Sequence, residues 1–282
     1  PPYFQAEDGI RDKQICLVGS EMCIRDRTRR KHDKLKRDLE IAGEIQHGLL
    51  PADMPQLEHY SFAAVCQPAD QTGGDYFDFL EVGSPGDNTI GLVVGDVSGH
   101  GVPSALLMAT ARALMRQRSL LPGGPAQVVG NVNMHLSRDV EDSGQFMTLF
   151  YLVIDPVQRS LNWVRAGHEP AVLYDPLRDV FEELRGSGVA LGVDENWQYR
   201  EEYRSGLLNG QVILIGTDGI WESRNSEGRM FGKDALLDLI RKNAAYSAEE
   251  ILSAIIDSIK HFQQDVEPED DITLVVAKIK TG

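Results

Sequence analysis

Cysteine is scarce in this chain: Cys16, Cys23 and Cys66 are the whole set, and no CxxC pair occurs. An odd, widely spaced set argues against a disulfide framework or a cysteine-built zinc site, and makes a reducing cytoplasm the expected compartment. Long apolar runs are missing as well. The strongest, such as Val212 to Ile215, fall far short of the ~20 residues a membrane-spanning helix needs. Positive charge is in short supply: 28 Lys and Arg against 43 Asp and Glu leave a net charge of -15. Such a surface repels nucleic-acid backbones, so neither DNA nor RNA is an expected partner. What remains is ordinary globular composition, 42% hydrophobic and 25% charged over 282 residues.

Pro1 to Arg27 lacks both a helical stripe and strand alternation, and it has no basic start with an apolar centre of the secretory kind. AEDGIRD and VGSEMCIRDR resemble translated sequencing-adapter read-through. Residues 1–27 are therefore read as an artefact or a disordered tail, without function. Residues 28–50 read as a lead-in helix with Leu35, Leu39, Ala42, Ile45 and Leu49 on one stripe, ended by Pro51. Its plain reading is a surface helix. Its sharper reading is the end of a coiled coil, entering from an upstream sensor or receiver domain and able to pair two copies. Residues 51–282 read as one domain.

In that domain, strands are expected at Tyr60–Gln67, Tyr76–Leu80, Thr89–Gly95, Met147–Ile154, Ser160–Ala166, Ala171–Tyr174, Val180–Leu184, Tyr199–Arg204, Gln211–Gly216 and Ile272–Ile279. A turn is expected at Gly83–Asn88 and a flexible loop at Gly186–Gly192, with Gly186–Tyr203 as a substrate-facing flap. Helices are expected at Pro103–Arg118, Pro125–Val140, Lys233–Asn243 and Ala248–Gln263, the last behind a Ser247/Glu250 capping box. Residues 220–231 read as loop or partial helix. Strands cluster and helices come in pairs, which favours an α+β class with mostly antiparallel sheets.

The chemistry is carried by acids at strand ends. Gly73-Gly74 precedes Asp75, Gly95 precedes Asp96, Gly219 follows Asp218, and Asp270-Asp271 leads the last strand. Hard cations such as Mg2+ or Mn2+ take oxygen ligands, few of them from protein. Two such ions about 3.5–4 Å apart can activate a water and neutralise a phosphoryl group. Small residues beside the acids let carbonyls and phosphate come close. Singly each DG is more often a turn than a ligand; the repeated pattern is the signal.

The set GGDYFD (73–78), GDVSGHGVPSAL (95–106), TDG (217–219) and DDITLV (270–275) resembles the metal-dependent serine/threonine protein phosphatase (PPM) superfamily. More narrowly it resembles the bacterial branch named after SpoIIE and RsbU, with IQHGLLP (45–51), FMTLFYLVID (146–155) and AGHEPAVLY (166–174) as further marks. The resemblance covers about residue 38 to the end. It implies an αββα β-sandwich flanked by helix pairs, two or more Mn2+ or Mg2+ ions, and hydrolysis of phosphoserine or phosphothreonine by metal-activated water. The implied substrate is a phosphorylated STAS-domain protein, an anti-sigma-factor antagonist in a partner-switching circuit. Asp96 would bridge both ions, with the Val97 carbonyl on one of them. Asp75 would serve the second ion, and Asp218 and Asp270 would complete the first, with Asp271 as the fallback.

Asp78 reads as a turn or supporting acid and Asp70 as a loop residue. Cys66 reads as core. Where eukaryotic members carry a histidine two residues after the bridging aspartate, this chain has Ser98. His100 and His168 are the nearby histidines; His100 reads as structural, and for His168 a hydrogen-bonded turn residue is at least as good a reading as a proton donor. The alternative function is a signalling module that works by binding, with little catalysis.

Overall fold

The computed structural model describes residues 29–82 and 88–280. The readings for Pro1 to Arg27 and for most of the turn at Gly83–Asn88 lie outside the described residues. The chain divides into two units, residues 1–45 and 46–282. Helix α1 covers residues 29–47. Along its stripe Leu35 and Ile45 are 59% and 64% exposed, and Ile41 is exposed as well.

In the second unit the elements are β1 (Tyr60–Gln67), β2 (Tyr76–Glu81), β3 (Ile90–Val97), α2 (Val102–Ser119), α3 (Pro125–Val140), β4 (Met147–Asp155), β5 (Ser160–Ala166), β6 (Ala171–Asp175), β7 (Val180–Leu184), β8 (Glu202–Ser205), β9 (Val212–Gly216), α4 (Gly219–Glu222), α5 (Lys233–Asn243), α6 (Ala248–Gln263) and β10 (Ile272–Ile279). They form two five-stranded sheets, ordered β1-β10-β9-β6-β7 and β2-β3-β4-β5-β8. Every pairing between these strands is antiparallel.

Inner strands such as β3, β4, β9 and β10 read as nearly unbroken apolar runs because both faces of each sheet are covered there. In β3, Leu92 and Val94, with Phe150 and Leu152 of β4, face Ile213, Ile215 and Val275 of the other sheet. Val93 and Val97 point the other way, onto Met108, Met115, Val129 and Leu136 of α2 and α3. The two-residue period of a strand thus feeds two separate cores. A third core lies between the other sheet and α5–α6, built on Ile251, Ile255, Leu274 and Val276. The layer order is αββα. Both helices over the β2-β3-β4-β5-β8 sheet start with a glycine N-cap and an early proline, Gly101 and Pro103 for α2, Gly124 and Pro125 for α3. At α6 the capping box forms, with Ser247 Oγ accepting from Glu250 N at 3.2 Å and Glu250 Oε2 accepting from Ser247 N at 2.9 Å.

Two expectations need correction. The loop 186–192 is not free. Gly188 O accepts from Gly167 N at 3.0 Å, and Leu191 exchanges backbone bonds of 2.8 and 2.9 Å with Met147. Buried Asn133 accepts from Gly192 N at 3.0 Å and donates to Asp194 O at 2.8 Å. Leu191 is itself a core side chain, so burial outweighs the flexibility of three glycines. The strand expected from Tyr199 begins only at Glu202. Ahead of it, Tyr199 OH donates to Val189 O, and the Glu201 carboxylate accepts from Ala126 N at 3.0 Å, at the start of α3, and from Asn162 Nδ2. Side-chain anchors there replace the ladder.

Candidate metal centre

Antiparallel register decides which acids meet. Tyr76 pairs with Gly95, so the β2–β3 ladder ends with Asp75 and Asp96 side by side. Leu274 pairs with Gly216, so the β9–β10 ladder runs out toward Asp218 on one chain and Asp270-Asp271 on the other. The two ends, one from each sheet, are joined by Thr217 Oγ1, which donates to Asp75 Oδ2 at 2.8 Å.

The acids feel one another. Asp75 is 3% exposed. Burial first, then the charges of Asp96 and Asp271, hold its carboxyl well above the usual range, against hydroxyls of Thr273 and Thr217 that stabilise the anion. Asp96 is pushed up to about 7, by burial and then by Asp218, Asp270 and Asp271. Asp270, at the outer rim, is raised by partial burial of its carboxyl and by Asp218, Asp271 and Glu222, opposed by the Asp271 N–H at 2.9 Å. Asp75, Asp96, Asp218, Asp270 and Asp271 therefore occupy one neighbourhood.

Among the described residues, no three His, Cys, Asp or Glu side chains are gathered closely enough to hold an ion. Like charges in a partly desolvated setting repel. The donor set nonetheless fits a hard divalent cation: carboxylates and the Val97 carbonyl, all oxygen, for an ion that keeps much of its water.

Asp271 is engaged elsewhere. Its Oδ1 accepts from Ala69 N at 2.8 Å, and its Oδ2 accepts from Gly74 N at 2.7 Å and from Asp75 N at 3.3 Å. It clamps the turn that carries Asp75. The contact leaves no room for side chains: a Cβ on Gly73 would lie 2.2 Å from Asp271 Oδ2, and one on Gly219 would lie 2.0 Å from the Asp271 carbonyl oxygen. From the end of α1, Gln46 grips the same turn, donating to Gly73 O at 2.6 Å and accepting from Gly73 N at 3.1 Å. Val97 N donates to Gly74 O at 3.3 Å.

The other residues fall outside the acid cluster. Asp78 is fully buried and held by Arg116 Nε and Nη2 at 2.6 and 2.7 Å and by Tyr76 OH at 2.9 Å. Asp70 is an exposed loop residue whose carboxylate accepts from Gln71 N. Ser98 Oγ accepts from Phe146 N at 3.0 Å. His100 is exposed between Gly99 and Gly101, both at positive φ. His168 is buried beside Thr148 Oγ1 at 2.8 Å, and burial pushes it down to about 4, a neutral ring rather than a proton donor at neutral pH. Burial likewise pushes the Cys66 thiol up to about 12, which rules it out as a thiolate nucleophile. Thr217 and Gln46 were the residues missed by reading the sequence. Thr217 stands next to Asp218 in TDG, and Gln46 lies in the IQHGLLP run, a family mark that carries no role for the glutamine itself.

The family profile described as stage II sporulation protein E (SpoIIE) matches residues 86–280. The chain belongs to the SpoIIE family. Phosphoserine phosphatase RsbU of Bacillus subtilis (strain 168) is 31% identical over 247 residues, 88% of this SpoIIE-family chain and 71% of RsbU. The SiaA-PP2C domain of Pseudomonas aeruginosa superposes with a TM-score of 0.74 at 25% identity, covering 89% of this chain and 98% of that one. A Mycobacterium tuberculosis structure of RsbU and RsbW domains gives 0.64 at 27% identity, over 81% of this chain and 62% of that one. The αββα sandwich is the PP2C fold, and this SpoIIE-family chain is an enzyme, a protein phosphatase of PP2C type.

Proposed function

We propose that the chain is a metal-dependent phosphoprotein phosphatase that hydrolyses phosphoserine or phosphothreonine on a STAS-domain protein in the cytoplasm. The observation that carries the reading is the Asp96 carboxyl, partly buried at a strand end and pushed up to about 7 by burial and three neighbouring acids. A fold spends stability on such a cluster where cations are to be held. Asp96, Asp75, Asp218 and Asp270 would hold two Mn2+ or Mg2+ ions, with the Val97 carbonyl serving one of them. Bound there, the ions supply Lewis acidity for a water and for the phosphoryl oxygens. Asp271 holds the Asp75 turn from behind, and the glycines at 73 and 219 let it pack that closely. No side chain of the site is assigned as a nucleophile, His168 is a neutral ring at neutral pH, and water would serve the leaving oxygen.

The STAS substrate is supported by the RsbU likeness and by the RsbU and RsbW domains of the mycobacterial structure. Residues 51–282 are the phosphatase domain. Residues 28–50 connect to an upstream sensor or receiver domain and pair two copies through exposed Leu35 and Ile45. Cation-stripped protein is to be mixed with a phosphorylated STAS protein, with and without Mn2+ or Mg2+. Phosphate release that requires the cation and is lost in D96N and D218N is expected. No release at high enzyme concentration with Mn2+ bound rejects the reading in favour of a module that works by binding. For α1, light scattering and turnover of the chain lacking residues 28–44 are both expected to differ from the full chain; no difference in either removes the role of the helix.

A further inference from the structure

Of the acids assigned above, Asp75 is the most enclosed. A buried carboxylate needs donors, and one that serves a cation must leave an oxygen free for it. Thr217, itself buried, supplies the donor on Oδ2 at 2.8 Å. Its hydroxyl is also addressed from the other side, accepting from Thr273 N at 3.1 Å, while Thr217 N donates to Thr273 O at 3.0 Å. An amide N–H cannot accept, and Asp75 ionised to hold a cation cannot donate, so in that form the hydroxyl proton points to Asp75. The Asp271 carbonyl, at 3.5 Å, is too far to compete. Thr217 adjoins Asp218, and Thr273 stands close behind Asp270 and Asp271. A single buried hydroxyl thus ties the β9 end and the β10 start to Asp75, across the two sheets.

We propose that Thr217 is a positioning residue for the cation that Asp75 holds. It fixes Asp75 Oδ2 and leaves Oδ1 to face the ion, and it sets the separation between Asp75 and Asp218. The inference rests on the assignment of Asp75 as a metal ligand. Valine has the shape of threonine but would take the Thr217 donor from Asp75 Oδ2 and leave the Thr273 N–H without its acceptor. Serine keeps the hydroxyl.

The test is direct Mn2+ binding to the cation-stripped full chain, by calorimetry and by the spin-resonance signal of free Mn2+, with p-nitrophenyl phosphate turnover in parallel. T217V is expected to weaken Mn2+ binding about 10–100-fold, and T217S to stay within about threefold of the parent. D75N is expected to lose the site, and T217V to add nothing in the D75N background. Parent-like binding by T217V, with D75N impaired, overturns the role of Thr217 and leaves Asp75 as a ligand. Parent-like binding by D75N overturns the ligand assignment, and the Thr217 inference with it. Should T217V not fold, T217C replaces it, since a thiol is a weak donor. Binding about tenfold weaker than T217S then supports the proposal, and equal binding overturns it.

Discussion

Replacing Asp96 by asparagine should abolish turnover and, without cations, make the protein more stable. The Asp96 carboxyl titrates at about 7 in the fold against 3.8 as the ordinary aspartate value. At about 1.4 kcal/mol per pH unit this difference is worth about 4 kcal/mol as a ceiling, and about 2–4 kcal/mol once local relaxation is allowed. The folded value is raised, so Asp96 favours the fold most at pH below 3.8, and that contribution is lost as pH rises through about 7. Above pH 7 the folded protein carries an ionised Asp96 against Asp218, Asp270 and Asp271, a burden absent from the unfolded chain. Asparagine keeps the shape and drops the charge. Urea denaturation in EDTA at pH 8 should therefore show D96N more stable by about 2–4 kcal/mol, with the gap narrowing toward pH 5. Adding Mn2+ at about 1,000 times its Kd should reverse the order, because it adds about 4.1 kcal/mol to the form that binds it. An asparagine variant less stable than the parent at pH 8 in EDTA would refute the argument that this cluster is strained by its own charge.

Arg116→Ala should cost about 3–5 kcal/mol in urea denaturation, because it strands the fully buried Asp78 carboxylate; a loss below about 1 kcal/mol contradicts this, being the range of an exposed pair. Ser247→Ala removes the hydroxyl half of the α6 capping box, keeping the backbone N–H bond to Glu250, and should lower stability by about 1 kcal/mol with turnover per folded molecule unchanged. Gly219→Ala places a methyl 2.0 Å from the Asp271 carbonyl oxygen; the turn must move, and Mn2+ affinity measured by calorimetry should fall while far-ultraviolet dichroism is retained.

Much of this molecule could be read directly from residue patterns. Strands such as β1, β5 and β10 and helices α3, α5 and α6 begin and end where their apolar periods, prolines and caps put them, because those signals act over a few neighbouring residues. The acids at 75, 96, 218 and 270 stood out because each adjoins or lies close to a glycine or a strand end. Local signals could not say that the glycine-rich loop 186–192 would be pinned, since its anchors, Met147 and Asn133, lie far away along the chain. Nor could they separate Asp270 from Asp271, two identical side chains in sequence. Only the fold gives one of them three backbone N–H partners at the Asp75 turn and leaves the other at the rim. Residue identity alone set which side chains were available for cations. Tertiary structure decided their arrangement, because strand register and the packing of two sheets set distances between residues more than a hundred positions apart, and the Thr217 hydroxyl that joins them acquires its role only where those sheets meet.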